Sequence, residues 1–268
     1  MPHCICLTCG VQYAEQAEPP DRCLICTDDR QYVRPEGQAW TTLAEMRTNY
    51  ANELRAIEPG LTGIVTAPKF AIGQRPLLVQ TPGGNVLWDC ISFIDDATVE
   101  AVNALGGIDA IAISHPHFYD SMIEWSRAFG GAPVYLHAAD RQWVMRPDPA
   151  IVFWDGATHA LSDEITLIRC GGHFPGSSVL HWSVGAEGRG VLLTADTIMV
   201  VADTRYVTFM HSFPNQVPLN AAAVQGIVDA IAPFNFDRIY SGWWEKVTAA
   251  DGKRTVIRSA ERYIRAIQ

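Results

Sequence analysis

A mainly apolar run at residues 108–114 ends directly in the tripeptide His115-Pro116-His117. With three isoleucines in seven residues, the run predicts a buried β-strand. Side chains alternate along an extended chain, so two histidines separated by one residue point to the same side. Imidazoles at the end of a buried strand are costly to hold without a partner, and one metal ion satisfies several of them. The sequence therefore predicts a metal site here, and His173 and Asp196 follow as two isolated further candidates.

A second candidate metal site lies in the first 26 residues, which contain five of the seven cysteines. Two CxxC knuckles, Cys6-Cys9 and Cys23-Cys26, are separated by 13 residues. Each knuckle can wrap two thiolates around one ion, and two knuckles complete a tetrahedral site. Residues 1–37 are too few to build a core, so the metal would supply much of the folding energy.

We therefore expect a zinc ribbon over residues 1–37, with a structural zinc ion on Cys6, Cys9, Cys23 and Cys26. Three alternatives stay open for this segment. Iron would suit rubredoxin-like knuckles, His3 or Cys4 could substitute as a ligand, and the thiols could form a reactive cluster without metal.

Composition limits the compartment and the partners. The chain has 268 residues, of which 48% are hydrophobic, and its formal net charge is −9. An acidic surface repels nucleic-acid phosphates and anionic lipids, so neither is an expected partner. No secretory signal and no apolar run of about 20 residues is visible. Together with the clustered cysteines, these features predict a cytoplasmic protein in a reducing compartment.

The remaining residues, 38–268, are predicted to form one larger domain of the α/β (α+β) class, in which strands and helices alternate. A turn at 82–85 predicts a hairpin between its flanking strands. The predicted strands are 77–80, 86–89, 108–114, 134–136, 165–170, 179–183, 191–194 and 238–241, and the predicted helices are 98–105, 121–129, 218–232 and 254–267.

The order of these motifs resembles the metallo-β-lactamase fold superfamily. Asp89 matches the first motif, His115 and His117 match the first histidines of HxHxDH, and residues 172–177 are close to GHTPGS. Asp196, in Thr194-Ala195-Asp196-Thr197, matches the aspartate at a strand end. The resemblance implies an αββα sandwich with metal at one edge. It also implies that His115, His117, His173 and Asp196 are the metal ligands.

The sequence departs from this pattern at the second metal site of the family. HxHxDH would place Asp at 119 and His at 120, where this chain has Tyr119 and Asp120. The last histidine motif would fall at Trp243. We therefore expect one ion in the pocket. Asp120 or Asp196 would accept a proton from the attacking water, and Tyr119 would donate a hydrogen bond to a developing oxyanion.

Aromatic residues predict a wall beside this site. Tyr206, His211 and Phe213 follow the Asp196 motif closely, and Trp243 with Trp244 lies where the second metal ion would be held. These five residues are the candidate substrate pocket. The alternative is that the 205–215 stretch is an ordinary packed loop.

The resemblance implies a metal-dependent hydrolase of a small molecule, with an ester, thioester or lactone preferred over a phosphate. The expected ion in the pocket is zinc, with iron as the alternative. Two other functions stay open: a mononuclear iron oxidoreductase on the same fold, and a non-catalytic protein that binds metal or ligand. The sequence also leaves a homo-oligomer open.

Overall fold

Residues 3–268 are described by a computed structural model and fall into two units. The first contains the described residues up to Leu136 together with Arg141–Phe153, and the second contains His137–Asp140 and Trp154–Gln268. Met1 and Pro2, the first residues of the predicted ribbon segment, lie outside the described residues. Within 3–268, no helix has the length and apolar composition that a bilayer span requires.

The cysteine-rich segment belongs to the first unit. Its short strand β1 (Ile5–Cys6) pairs antiparallel with β2 (Trp40–Thr41). Helix α1 (Leu43–Met46) follows, and its first turn is closed by a capping box between Thr42 and Glu45. Ile5 and Met46 pack with Phe70 and Phe93 in one buried cluster. The metal-binding segment therefore shares a hydrophobic core with the rest of its unit, which adds to whatever a metal ion contributes.

A seven-stranded sheet in the order β3-β4-β5-β6-β7-β8-β9 forms the main part of the first unit. Its strands are β3 (Ala51–Glu58), β4 (Leu61–Ala67), β5 (Leu77–Val79), β6 (Val86–Trp88), β7 (Ala110–Ala112), β8 (Val134–His137) and β9 (Ile151–Trp154). Helices α2 (Asp96–Ala104) and α3 (Met122–Ala128) connect the central strands, with 3₁₀ helices at Pro116–Phe118 and Ala138–Trp143. Strand β7 runs parallel to both β6 and β8, so Asp89 and His115 emerge at the same edge of the sheet.

The second unit is built on a six-stranded sheet in the order β10-β11-β12-β13-β18-β19. Its strands are β10 (Thr158–Ala160), β11 (Ile165–Arg169), β12 (Ser178–Trp182), β13 (Val191–Leu193), β18 (Arg238–Tyr240) and β19 (Val247–Thr248). Two small sheets pair β14 (Met199–Val200) with β15 (Val207–Thr208) and β16 (Met210–Ser212) with β17 (Val217–Pro218).

Helices cover the core of the second unit. They are the single turn α4 (Gly185–Gly188), α5 (Ala221–Ile231) and α6 (Gly252–Ile267). Val224, Ile227 and Ile231 recur along α5 at helical spacing, and all three are buried against the sheet core. Strands β13 and β18 run parallel to each other. The loops that follow them, which carry Asp196 and Trp243, therefore emerge at one edge of the sheet.

The predicted elements are confirmed, with boundaries that shift by a few residues. The hairpin at 82–85 forms between β5 and β6, and the predicted strand 108–114 is ordered as a strand only over Ala110–Ala112. The sequence reasoning missed the hairpin of β3 and β4, which turns at Gly60 with a φ of 79°. Before the bulge of β3 at Ala56–Glu58, only Asn52 and Leu54 are turned toward the interior, and neither is fully buried, so the periodicity of the strand is weak.

Candidate metal centre

The four knuckle cysteines come together in the first unit. The Sγ atoms of Cys6 and Cys26 are 3.6 Å apart, as are those of Cys9 and Cys23. A disulfide would require about 2.05 Å, whereas thiolates at about 2.3 Å from a tetrahedral zinc ion are about 3.8 Å apart. All four sulfur atoms lie within 4.8 Å of one another, and the group does not include His3 or Cys4. The geometry therefore fits a structural metal ion on the four predicted residues.

His115 and His117 lie at the carboxyl end of β7, and both side chains are buried. His115 is the N-cap residue of the 3₁₀ helix Pro116–Phe118, whose first position is the proline. This single turn brings the two rings to 5.1 Å between centroids. The predicted arrangement of two imidazoles on one side of the chain is confirmed, although a helical turn produces it instead of continued strand.

A hydrogen-bond relay fixes the orientation of His115. The Ser114 hydroxyl donates to Asp89 Oδ1 at 2.6 Å, and the Ser114 backbone N–H donates to the same oxygen at 2.8 Å. Since a hydroxyl has one proton, Ser114 Oγ accepts from His115 Nδ1–H, which lies 2.8 Å away. His115 Nε2 is then the unprotonated ring nitrogen and carries the lone pair that a metal ion needs.

His173 and Asp196 lie in the second unit. His173 follows Gly171 and Gly172, whose φ angles of 67° and 81° are left-handed. Its Nδ1–H donates to the carbonyl oxygen of Met210 at 3.0 Å, so its Nε2 also carries the lone pair. This nitrogen lies 3.8 Å from Asp196 Oδ2. Two donors bound to one ion at about 2.1 Å are at most about 4.2 Å apart, so both can ligate the same ion.

The turn that carries His173 is anchored by a buried carboxylate. Gly176 N–H donates to Asp140 Oδ1 at 2.8 Å, and Phe174 N–H donates to Ser177 Oγ at 2.8 Å. A Cβ atom on Gly176 would collide with the Asp140 carboxylate, so the close approach requires glycine at this position. Through this hydrogen bond, Asp140 fixes the backbone of the turn that contains His173.

The predicted ligands form one group of metal-binding side chains. His115, His117, His173 and Asp196 each offer one ligand atom, and these atoms all lie within 4.8 Å of one another. All four residues are buried. Three imidazoles and one carboxylate suit zinc or ferrous iron better than magnesium or calcium, which prefer oxygen ligands. The donor set therefore fits a transition-metal ion.

Asp120 and Tyr119 are both buried, and the contacts of Asp120 are specific. Its Oδ2 accepts from Gln74 Nε2 at 2.5 Å, and its Oδ1 lies 2.5 Å from Ser92 Oγ. Burial raises the pKa of the Asp120 carboxyl well above its usual range. Tyr119 is 2% exposed and directly follows the 3₁₀ helix of the histidines. The predicted roles of these two residues in proton transfer and oxyanion stabilisation stay predictions.

The candidate pocket residues do not all gather at one place. Phe213 lies with its ring centroid 6.0 Å from that of His173, and it lines a cavity of about 460 Å³ together with Trp243. His211 neighbours Met210, the acceptor of the His173 hydrogen bond. Tyr206 instead lies under Arg262 of α6, at 4.4 Å, and lines a separate cavity of about 220 Å³. Trp244 is half-buried next to Trp243.

Several residues that hold the ligands gave no signal in the sequence. Ser114 precedes the first histidine, and a serine there has many ordinary explanations. Asp140 contacts Gly176 from 36 residues away, and Gln74 contacts Asp120 from 46 residues away. The serine directly before HxH at the strand end is the one signal that could have been recognised, because a hydroxyl there can reach the first imidazole.

Comparison with solved structures shows the fold. The chain matches a crystal structure of VMB-1 with a TM-score of 0.60 and 11% identity, covering 81% of this chain and 98% of that one. It matches the DIM-1 metallo-β-lactamase with a TM-score of 0.58 and 12% identity, covering 81% and 98%. The mono-zinc form of the metallo-β-lactamase FIM-1 from Pseudomonas aeruginosa matches with a TM-score of 0.56 and 16% identity, covering 79% and 95%. The predicted αββα metallo-β-lactamase sandwich is confirmed, and the four-cysteine cluster fits the predicted small N-terminal zinc ribbon.

Comparison of sequences identifies the family. No family model matches the chain. The uncharacterized protein YmaE of Bacillus subtilis (strain 168) is 49% identical over 269 residues, which cover 100% of this chain and 97% of that protein. With a His₃Asp ligand group and a four-cysteine cluster on the metallo-β-lactamase fold, this chain belongs to the same family as YmaE.

Proposed function

We propose that this protein is a metal-dependent hydrolase that acts on a small molecule at a mononuclear His₃Asp centre. The observation that carries the proposal is the convergence of ligand atoms from His115, His117, His173 and Asp196 within 4.8 Å. The fold of this chain is similar to that of solved metallo-β-lactamases, and one of these, FIM-1, is described in a mono-zinc form.

The residues at the positions of the second metal site favour a single ion. Tyr119, Asp120 and Trp243 stand where the resemblance would place the ligands of a second ion. Of these, only Asp120 is a strong metal ligand, and its carboxyl is engaged by Ser92 and Gln74. A lone carboxylate with both oxygens engaged offers little affinity for a second transition-metal ion.

The residues of the chain would prepare the reaction in a defined way. When bound, the ion would supply Lewis acidity toward a carbonyl oxygen and make hydroxide available near neutral pH. The Ser114 relay and the Met210 carbonyl hold His115 and His173 with their Nε2 lone pairs available for it. We assign to Asp196, 3.8 Å from His173, a role in accepting the proton of the attacking water in addition to ligation.

The cavity lined by Phe213, whose ring centroid is 6.0 Å from that of His173, supports a substrate with an apolar body. Its walls include Met199, Val200, Phe213 and Trp243, with Lys246 as the charged residue. Ester, thioester or lactone substrates with an alkyl or aryl group would bury apolar surface there, whereas a highly hydrated phosphate would lose its solvation. We therefore prefer acyl substrates over phosphate esters.

The test combines metal content with turnover. Elemental analysis of the untagged protein should give about two metal ions per chain, falling to about one in a His115→Ala/His117→Ala double variant. Hydrolysis of activated esters, thioesters and lactones should be lost in the double variant and kept in His159→Ala, since His159 lies in β10 and stacks on Trp154. Persistent hydrolysis in the double variant, or an unchanged metal count, would refute the proposed site.

The metal analysis also separates the other two functions. If the ion lost in the double variant is iron and the protein consumes oxygen, the site serves redox chemistry. If one ion is lost but no acyl substrate is turned over, the centre serves binding instead of hydrolysis.

A further inference from the structure

The segment that carries His115 and His117 ends at Asp120, where it meets the zinc ribbon. The backbone carbonyl of Asp120 accepts from Gln12 N–H at 3.1 Å, and Gln12 lies three residues beyond Cys9, the last residue of the first knuckle. Asp120 has a left-handed φ of 39°, a conformation that side chains other than glycine adopt rarely and aspartate adopts more readily than most. The ribbon therefore contacts the metal-binding loop at a strained position, three residues after His117.

The side chain of Asp120 makes a second contact with the ribbon. Gly10, the glycine that follows Cys9, approaches so closely that a Cβ atom there would collide with the Asp120 carboxylate. Ser92 Oγ lies between the two, 2.8 Å from Gly10 O and 2.5 Å from Asp120 Oδ1. All three residues are at least nine-tenths buried. This close packing leaves no room for Asp120 to move independently of the knuckle.

A third connection lies at the start of helix α3. The guanidinium of Arg146 donates to Gln12 Oε1 in the ribbon and to Glu124 Oε1 in α3. Arg146 is 4% exposed, so this ion pair is poorly screened by solvent. The loop between β7 and α3 is thus linked to the ribbon both at Asp120 and just beyond it.

We propose that the zinc ribbon positions the His115–His117 loop through Asp120, so that metal occupancy of the ribbon sets the affinity of the pocket for its own ion. Asp120 is then a positioning residue. The single 3₁₀ turn Pro116–Phe118 contains His117 and is followed directly by Tyr119 and Asp120, so a displacement of Asp120 is expected to move His117 as well. Metal ligands must be held to within about 0.5 Å, which makes the pocket sensitive to such a displacement.

The coupling must act in both directions. If ribbon metal strengthens binding in the pocket, pocket metal strengthens binding in the ribbon by the same factor. Oxidation or chelation of the four thiols would lower the metal affinity of the pocket without touching its ligands. This proposal rests on the pocket metal centre of the proposed function, and it does not depend on which substrate is hydrolysed.

The experiment is a titration of the pocket with Co²⁺ in protein whose ribbon zinc is verified by elemental analysis. Cobalt on three imidazoles and a carboxylate has a weak visible spectrum, which distinguishes it from cobalt on four thiolates with its strong charge-transfer absorption. Ser92→Ala and Asp120→Asn should weaken pocket binding by about 10-fold or more, in the range seen for residues that orient metal ligands. The matched control is Ser121→Ala, which removes a buried hydroxyl that makes no hydrogen bond within residues 3–268.

A second pair of variants tests the role of the ribbon ion itself. Cys9→Ser removes a ribbon ligand, and Cys4→Ala removes a buried thiol outside the cluster. Pocket affinity should fall in Cys9→Ser and stay at the wild-type value in Cys4→Ala. If Cys9→Ser does not fold, the Ser92 and Ser121 variants decide the question.

The proposal is overturned if Ser92→Ala binds pocket cobalt as tightly as Ser121→Ala, or if the wild-type pocket binds no cobalt. Because no substrate is present in the titration, its outcome is separate from that of the proposed function. Coupling without any acyl turnover would leave the positioning role intact and refute the hydrolase, and hydrolysis without coupling would do the reverse.

Discussion

Replacing Ser114 with alanine removes the hydroxyl that joins His115 to Asp89. Two hydrogen bonds are lost, one of 2.6 Å to Asp89 Oδ1 and one of 2.8 Å from His115 Nδ1. Asp89, which is 2% exposed, keeps the backbone N–H of residue 114 as a donor but loses the Ser114 hydroxyl. The imidazole of His115 loses the acceptor that fixes its tautomer, so its Nε2 no longer presents the lone pair in every molecule.

The magnitude follows from the charge on the acceptor. A hydrogen bond to a charged group contributes about 1.5–3 kcal/mol, and the serine side chain is small enough that little packing is lost. Residues that orient metal ligands contribute about 10–100-fold in metal affinity, or about 1.4–2.7 kcal/mol. The two ranges agree, so we expect Ser114→Ala to bind pocket zinc about 10–100-fold more weakly than the wild type.

The assay is competition for Zn²⁺ against a chromophoric chelator, with the ribbon ion already in place. Ser114→Thr keeps the hydroxyl and should retain most of the affinity, while Ser121→Ala should match the wild type. An unchanged Kd in Ser114→Ala, with the folded structure intact by circular dichroism, would refute the argument that this relay prepares His115 for the metal.

Two further predictions concern the second unit. Phe213→Ala enlarges the cavity that Phe213 lines with Trp243 and removes apolar contact with the substrate, so KM should rise several-fold more than kcat falls in ester hydrolysis. A fall in kcat alone would contradict a binding role for Phe213. Burial lowers the pKa of His181, whose ring donates to Asn235 O at 2.7 Å. Because the folded pKa lies below the unfolded value of about 6.5, His181 contributes stability above about pH 6.5 that is lost as the pH falls through this region toward the folded pKa. In thermal unfolding between about pH 7 and about pH 5, His181→Gln should therefore lose less Tm than the wild type; parallel losses would show that His181 is not the group responsible.

Much of the fold could be predicted because its signals are local. The strands around β5, β6 and β12 and the helix α5 each carry their own periodicity or turn residues, and the structure contains them at the predicted places. The β3–β4 hairpin could not be predicted, since its first strand is half-exposed and bulged and gives no regular alternation.

The candidate site divides in the same way. Cys6, Cys9, Cys23 and Cys26 could be grouped from spacing alone, since each CxxC knuckle supplies two ligands and a tetrahedral site needs four. His115 and His117 could be paired from the strand that precedes them. Their grouping with His173 and Asp196 needed the order of motifs in a known superfamily, because residues 56 and 79 positions apart, counted from His117, share no local signal.

The sequence by itself therefore determined which atoms can bind metal, because ligand chemistry belongs to residue types and knuckle spacing is local. Only the tertiary structure decided what holds those atoms. The Ser114–Asp89 relay, the Asp140 anchor under Gly176 and the packing of Gly10 against Asp120 each join residues from 25 to 110 positions apart. Such contacts depend on strand order and on the burial of polar groups that must find partners, and both are properties of the folded chain as a whole.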